Sequence, residues 1–95
     1  MTGLTLSIEG GIAEIQLDDG KVNALSETML EQLLAAIEEA AQADAALLIC
    51  GRPGCFSGGY DRKLIDAGGP ACDAMRAAGD RLTLALLDYP APLGI

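Results

Sequence analysis

The sequence contains no histidine and no tryptophan, and only three aromatic residues in 95. Without histidine, neither a Ser-His-Asp nor a Cys-His nucleophilic system can be assembled from these residues. Basic side chains are scarce as well. Six lysines and arginines face 14 aspartates and glutamates, so the formal net charge is -8. Nucleic acid and anionic membrane surfaces both select a basic face, and this balance speaks against them as partners. Local phosphate contacts stay open, because a few lysines and backbone N–H groups suffice for those.

Long hydrophobic runs are missing too. Hydrophobic residues make up 51% of the chain and the mean hydropathy is +0.31. Yet no apolar stretch approaches the roughly 20 residues of a membrane span. So much apolar content in a soluble chain implies surface covered by the rest of a larger domain or by neighbouring subunits. The start, MTGLTLSIEG, has no basic residue and reaches Glu9 early, so it does not read as a secretory signal. Cys50, Cys55 and Cys72 are an odd set, suited to reduced thiols in a cytoplasm rather than to a disulfide framework. Their spacing matches no usual zinc pattern, so no metal site is expected.

What is present has a clear order. Leu4, Leu6 and Ile8, then Ile12, Ile15 and Leu17, flank Gly10-Gly11 and predict a β-hairpin. Asp18-Asp19-Gly20 marks a turn. Ser26 is placed to cap a helix whose Met29, Leu30, Leu33, Leu34, Ile37 and Ala41 recur at the helical period. Glu31, Glu38 and Glu39 take the wet side, and the helix is expected to end near Asp44. Ala45 to Cys50 is a short continuous apolar run, which predicts a strand buried on both faces.

A glycine-rich stretch, GRPGCFSGGYD, leads from that strand to a short helix over Asp61 to Asp66. Ala67 to Pro70 is expected to be a mobile surface loop. Ala71 to Leu87 predicts a second long helix with Met75, Leu82 and Leu86 inward, closed by Tyr89-Pro90-Ala91-Pro92 because proline cannot continue it. Leu93-Gly94-Ile95 reads as the start of a further core strand. These elements predict an α/β layered fold. A domain that stops inside a core strand would leave backbone groups unpaired. The chain, 1–95, is therefore expected to be the front part of a larger domain.

The glycine stretch lacks the G-x-x-x-x-G-K-[ST] of a phosphate loop and the G-x-G-x-x-G of a dinucleotide site. Around Ser57 the G-x-S-x-G of a nucleophile elbow also fails, because Cys55 holds the first glycine position. What remains is Gly58-Gly59, one bulky residue, and a helix start. Two glycines allow a ligand to approach the backbone closely. The N–H of Tyr60 then suits an oxygen that gains negative charge during reaction, a contact worth about 3 kcal/mol. The simpler reading is a Gly-Gly turn with Asp61 as an ordinary N-cap.

The segment order LDDGKVNALS, ETMLEQLLAAIEEA, ALLICG, FSGGYDRKL and YPAPLGI resembles the crotonase (enoyl-CoA hydratase/isomerase) superfamily along essentially the whole chain. NALS and FSGGYD are its most specific parts. The resemblance implies the N-terminal part of a crotonase-like ββα spiral core: hairpin, helix, buried strand, glycine loop, helix, and start of the next strand. It implies an acyl-CoA thioester whose carbonyl sits between two backbone N–H donors, the first on Tyr60, and an enoyl-CoA hydration or isomerisation.

By the same resemblance, Gly58 offers its carbonyl to the adenine amino group and Ala24 lines the adenine pocket. Gly59, Tyr60 and Asp61 are expected to bind the CoA substrate beside the donor, Lys21 and Lys63 to meet CoA phosphates, and Leu64 to line the acyl channel or simply the core. Cys55 stands where relatives carry Lys or Arg, leaving that contact to Arg52 or to none. Tyr60 replaces a common alanine, which implies a narrower acyl pocket or a preference for a particular acyl group. The second donor and the acid/base carboxylates fall beyond Ile95. No cofactor is implied, since coenzyme A belongs to the substrate, and the complete protein is expected to be a trimer or hexamer. The competing expectation is a non-catalytic CoA-binding or assembly module of the same fold.

Overall fold

A computed structural model describes residues 3–20, 23–51 and 56–94. It opens with two antiparallel strands, β1 (Leu4–Glu9) and β2 (Ile12–Leu17). The register pairs Leu4 with Leu17 and Glu9 with Ile12, which leaves Gly10 and Gly11 alone in the turn. Their φ angles are 57° and 77°. A two-residue turn whose twist matches the strands needs that left-handed backbone at both positions, and glycine adopts it without a Cβ penalty.

Helix α1 (Glu27–Gln42) carries the chain across to β3 (Ala46–Cys50), which pairs parallel to β2. A parallel pair needs such a crossover because the chain must return to the same end of the sheet. The Ser26 hydroxyl accepts the Met29 N–H at 3.2 Å and so fixes where α1 begins. Then come α2 (Arg62–Ala67), α3 (Gly69–Leu87) and β4 (Leu93–Gly94). β4 pairs parallel to β3, and the sheet order is β1-β2-β3-β4.

One hydrophobic layer joins α1 to the sheet. Ala13, Ile15 and Leu17 of β2, with Leu47 and Ile49 of β3, meet Met29, Leu33, Ala36, Ile37 and Ala40 of α1. The α1 residues recur every three or four positions, so they share one helix face. Leu30 looks the other way and packs with Met75 and Ala78 of α3. Each fully buried Leu or Met in these clusters contributes about 1.5–3 kcal/mol.

Two expectations are corrected. β3 is not buried on both faces: Leu47 and Ile49 are inside, but Leu48 is exposed, as is Ile12 on β2. Side chains alternate across a strand, and α1 packs on only one side of this sheet. An unbroken apolar run identifies strand residues that tolerate burial; it does not supply the second covering layer. Ala67 to Pro70 is not a mobile loop either. Gly68 alone separates α2 from α3, and Pro70 stands in the first turn of α3. There its missing N–H is no loss and its fixed φ already suits a helix.

The far end of α3 is pinned to the sheet. Tyr89 donates its hydroxyl to the Ala45 carbonyl at 2.6 Å, and the Leu47 N–H reaches the Pro92 carbonyl at 2.9 Å. Among the described residues, no helix is long and apolar enough to cross a membrane.

Candidate active site

The glycine loop is held by the segment that precedes α1. Asn23 is completely buried and has a φ of 53°, a left-handed conformation that asparagine tolerates better than most residues. Its Oδ1 accepts the Asp19 N–H at 2.9 Å. Its Nδ2 donates to the Leu17 carbonyl at 3.0 Å and to the Phe56 carbonyl at 2.9 Å. One amide thus closes the Asp-Asp-Gly turn and grips the front of the glycine loop. The grip is returned: Ser57 donates its hydroxyl to the Asn23 carbonyl at 2.8 Å and accepts the Gly59 N–H at 3.0 Å.

Just beyond, Leu25 and Tyr60 form a parallel β-bridge. The Leu25 N–H donates to the Gly59 carbonyl at 2.7 Å, and the Asp61 N–H to the Leu25 carbonyl at 3.4 Å. In such a bridge the central residue of the second strand turns its own N–H and carbonyl away from its neighbour. The Tyr60 N–H therefore faces outward, and among the described residues it has no acceptor. Gly59, at φ 86°, occupies the left-handed region just before it. The Tyr60 N–H is thus an unpaired donor, among the described residues, on a loop tied down at Asn23, Ser57 and Leu25.

Asp61 caps α2 by accepting the Lys63 N–H at 2.9 Å. The simple N-cap reading of Asp61 is thus realised, and its carboxylate already answers part of the positive end of this six-residue helix. The first turn of α2 is thus capped from within, whereas the Tyr60 N–H has no acceptor among the described residues.

The remaining predicted positions divide. Ala24 is half-buried between Asn23 and Leu25, while Gly58 is exposed at the loop tip beside the half-buried Gly59. Lys63 is exposed on the first turn of α2. Leu64 packs against the Leu30, Met75 and Ala78 cluster, which gives it a core role. Lys21, Arg52, Cys55 and Ile95 lie outside the described residues. The fold therefore gathers Ala24, Gly58, Gly59, Tyr60 and Asp61 around one bridge.

Two contributors escaped the sequence reading: the Asn23 amide and the Ser57 hydroxyl. Asparagine beside an Asp-Asp-Gly turn is a recognisable hint of left-handed backbone. Nothing local, however, tells that Asn23 binds a carbonyl 33 positions on.

The enoyl-CoA hydratase/isomerase family profile matches residues 7–93. The chain belongs to the enoyl-CoA hydratase/isomerase family. Among solved structures it resembles a probable enoyl-CoA hydratase of Mycobacterium tuberculosis, with 40% identity and a TM-score of 0.90, over 96% of this chain and 39% of that one. A structure described as the tuberculosis enoyl-CoA isomerase gives 39% identity and a TM-score of 0.88, over 96% and 40% of the two chains. A family protein of Pseudomonas syringae gives 32% identity and a TM-score of 0.90, again over 96% and 40%. The chain thus spans about two fifths of the length of these relatives. No curated protein sequence matches it. The mixed α/β arrangement, with its four-stranded sheet and its helices, is the crotonase fold of these neighbours.

Proposed function

We propose that this chain supplies the first oxyanion donor and part of the CoA-binding surface of an enoyl-CoA hydratase or isomerase. The outward Tyr60 N–H without an acceptor among the described residues carries this reading. A thioester carbonyl placed on that N–H gains negative charge as its α-carbon becomes enolate-like. A donor fixed in advance stabilises that charge without reorganising during the reaction. In hydration, water adds at the β-carbon and a proton arrives at the α-carbon. In isomerisation, a proton leaves the α-carbon and returns at the γ-carbon.

We place the second donor and the carboxylates that move these protons in residues beyond Ile95, as the family resemblance implies. Residues 1–95 are then the N-terminal part of one crotonase-like domain. In the bound state, the exposed Gly58 carbonyl receives the adenine amino group, Ala24 lines the adenine pocket, and Lys21 with Lys63 meets the CoA phosphates. Leu64 reaches the acyl channel from the rim of the core. Coenzyme A enters as part of the substrate, no separate cofactor takes part, and the complete protein works in the cytoplasm as a trimer or hexamer.

The test is turnover by the complete protein. Loss of the conjugated thioester absorbance with crotonyl-CoA identifies a hydratase. Gain of that absorbance with a 3-enoyl-CoA identifies an isomerase. CoA binding without either change would overturn the enzyme reading in favour of a non-catalytic module.

A further inference from the structure

We propose that Gly79 is a specificity-determining residue that acts through Tyr60, setting how far the tyrosine ring stands back from the acyl group; this rests on the acyl-CoA reading above. Gly79 lies buried in the interior of α3. Glycine is among the poorest helix formers, so a glycine there calls for a reason in packing.

The reason is the Tyr60 ring. A Cβ built on Gly79 would clash with the Tyr60 hydroxyl oxygen and lie 2.8 Å from ring Cζ and 2.9 Å from Cε1. The phenol occupies the space that any other residue at position 79 would fill.

That seat matters because of what Tyr60 carries on its backbone. In a β-bridge the side chain stands roughly perpendicular to the direction of the N–H. The ring therefore forms a wall beside the donor, resting on α3, while the residue as a whole stays 36% exposed. The Tyr60 hydroxyl makes no hydrogen bond among the described residues, so shape alone holds the ring in place. The helix beneath is less free to yield. Met75 and Ala78 are fully buried against Leu30, and Arg81 pairs with Glu31 across to α1. A side chain added at position 79 displaces the ring rather than the helix, and the wall moves toward the acyl group.

The substrate class most sensitive to this wall carries a branch next to the thioester carbonyl. The experiment compares crotonyl-CoA with its 2-methyl homologue, tiglyl-CoA, in the complete protein and in Gly79→Ala, Tyr60→Ala and the double variant. Gly79→Ala should reduce kcat/KM for tiglyl-CoA by about tenfold more than for crotonyl-CoA, the usual scale for one misplaced methyl group. In the Tyr60→Ala background that extra loss should vanish.

Thermal unfolding checks the seat independently of turnover. Gly79→Ala should lower Tm when Tyr60 is present and raise it when Tyr60 is alanine, since alanine is the better helix former. Equal losses on both thioesters, or the same loss in both backgrounds, would overturn the proposal and leave Gly79 a packing residue. A parent that turns over only 3-enoyl-CoA is compared on a 3-enoyl-CoA and its 2-methyl homologue instead, and a parent that turns over no enoyl-CoA overturns the acyl reading itself, and this proposal with it. That failure is distinct from one in which the parent turns over both substrates and the variants show no coupling.

Discussion

At the scale of the residue, Tyr60 and Asn23 have separable roles. Tyr60 is proposed to act through its amide. Tyr60→Pro deletes that donor and should reduce kcat of the complete enzyme by about a hundredfold or more, with any backbone strain adding to the loss. Tyr60→Phe removes only a hydroxyl that has no partner among the described residues, and should reduce it far less. A folded Tyr60→Phe enzyme with the larger loss would assign the chemistry to the phenol instead.

Asn23 works by holding. Replacing it with glycine keeps the left-handed backbone accessible and removes only the amide. The carbonyls of Leu17 and Phe56 then lose this donor. Loss of one buried and one part-buried hydrogen bond should lower unfolding stability by about 1–3 kcal/mol, as read from urea denaturation. A change below about 1 kcal/mol would show that the glycine loop keeps its place without this amide.

At the scale of the element, the ends of the helices decide how the parts meet. α1 starts where Ser26 caps it, and α3 starts at once after α2 because Gly68 turns the chain and Pro70 accepts a first-turn position. The other end of α3 depends on Tyr89, whose hydroxyl bond to Ala45 joins it to the start of β3. Removing that bond by Tyr89→Phe should lower stability by about 1 kcal/mol, the usual net value of one hydrogen bond.

The same contact predicts an alkaline sensitivity. Burial raises the Tyr89 pKa above its ordinary value of 10.0. A raised folded-state pKa stabilises the fold fully below the unfolded value, and that contribution is lost as pH climbs through the folded value. Tm should therefore decline above pH 10, by less in Tyr89→Phe than in the parent protein. Identical declines in a thermal melt series would show that Tyr89 has no part in the loss.

At the scale of the whole molecule, one face of the sheet is covered and the other is open. Ile12 and Leu48 lie on the open side. The relatives are more than twice as long, since this chain spans 39% of one and 40% of others. One donor without a general base leaves most of a hydration barrier in place. The 95-residue chain alone should therefore turn over an enoyl-CoA no faster than buffer, in contrast to the activity proposed for the complete protein. Activity of a mass-verified 95-residue chain would contradict the division of the site proposed above. Charge belongs to this scale too. Lys21→Ala with Lys63→Ala in the complete protein should weaken CoA binding at low salt and flatten its salt dependence. Unchanged affinity, measured by titration calorimetry, would make both lysines plain surface residues.

Much of this architecture is legible in local chemistry. Gly10-Gly11 between two alternating runs, Ser26 before a helical period, and Pro90 after α3 each act on their immediate neighbours. Local sequence therefore sufficed for the hairpin, the start of α1 and the end of α3. The segment order likewise pointed to the crotonase family. Tertiary structure decided everything that joins distant segments. Asn23 meets Phe56 across 33 positions and Tyr89 meets Ala45 across 44. Tyr60 lies over Gly79 because α3 folds back beneath the loop. Exposure of Leu48 depends on which side of the sheet α1 takes. A residue's own conformational preferences carry a few neighbours and no further; which side chain fills a gap in another element is set only when the packed layers bring the two together.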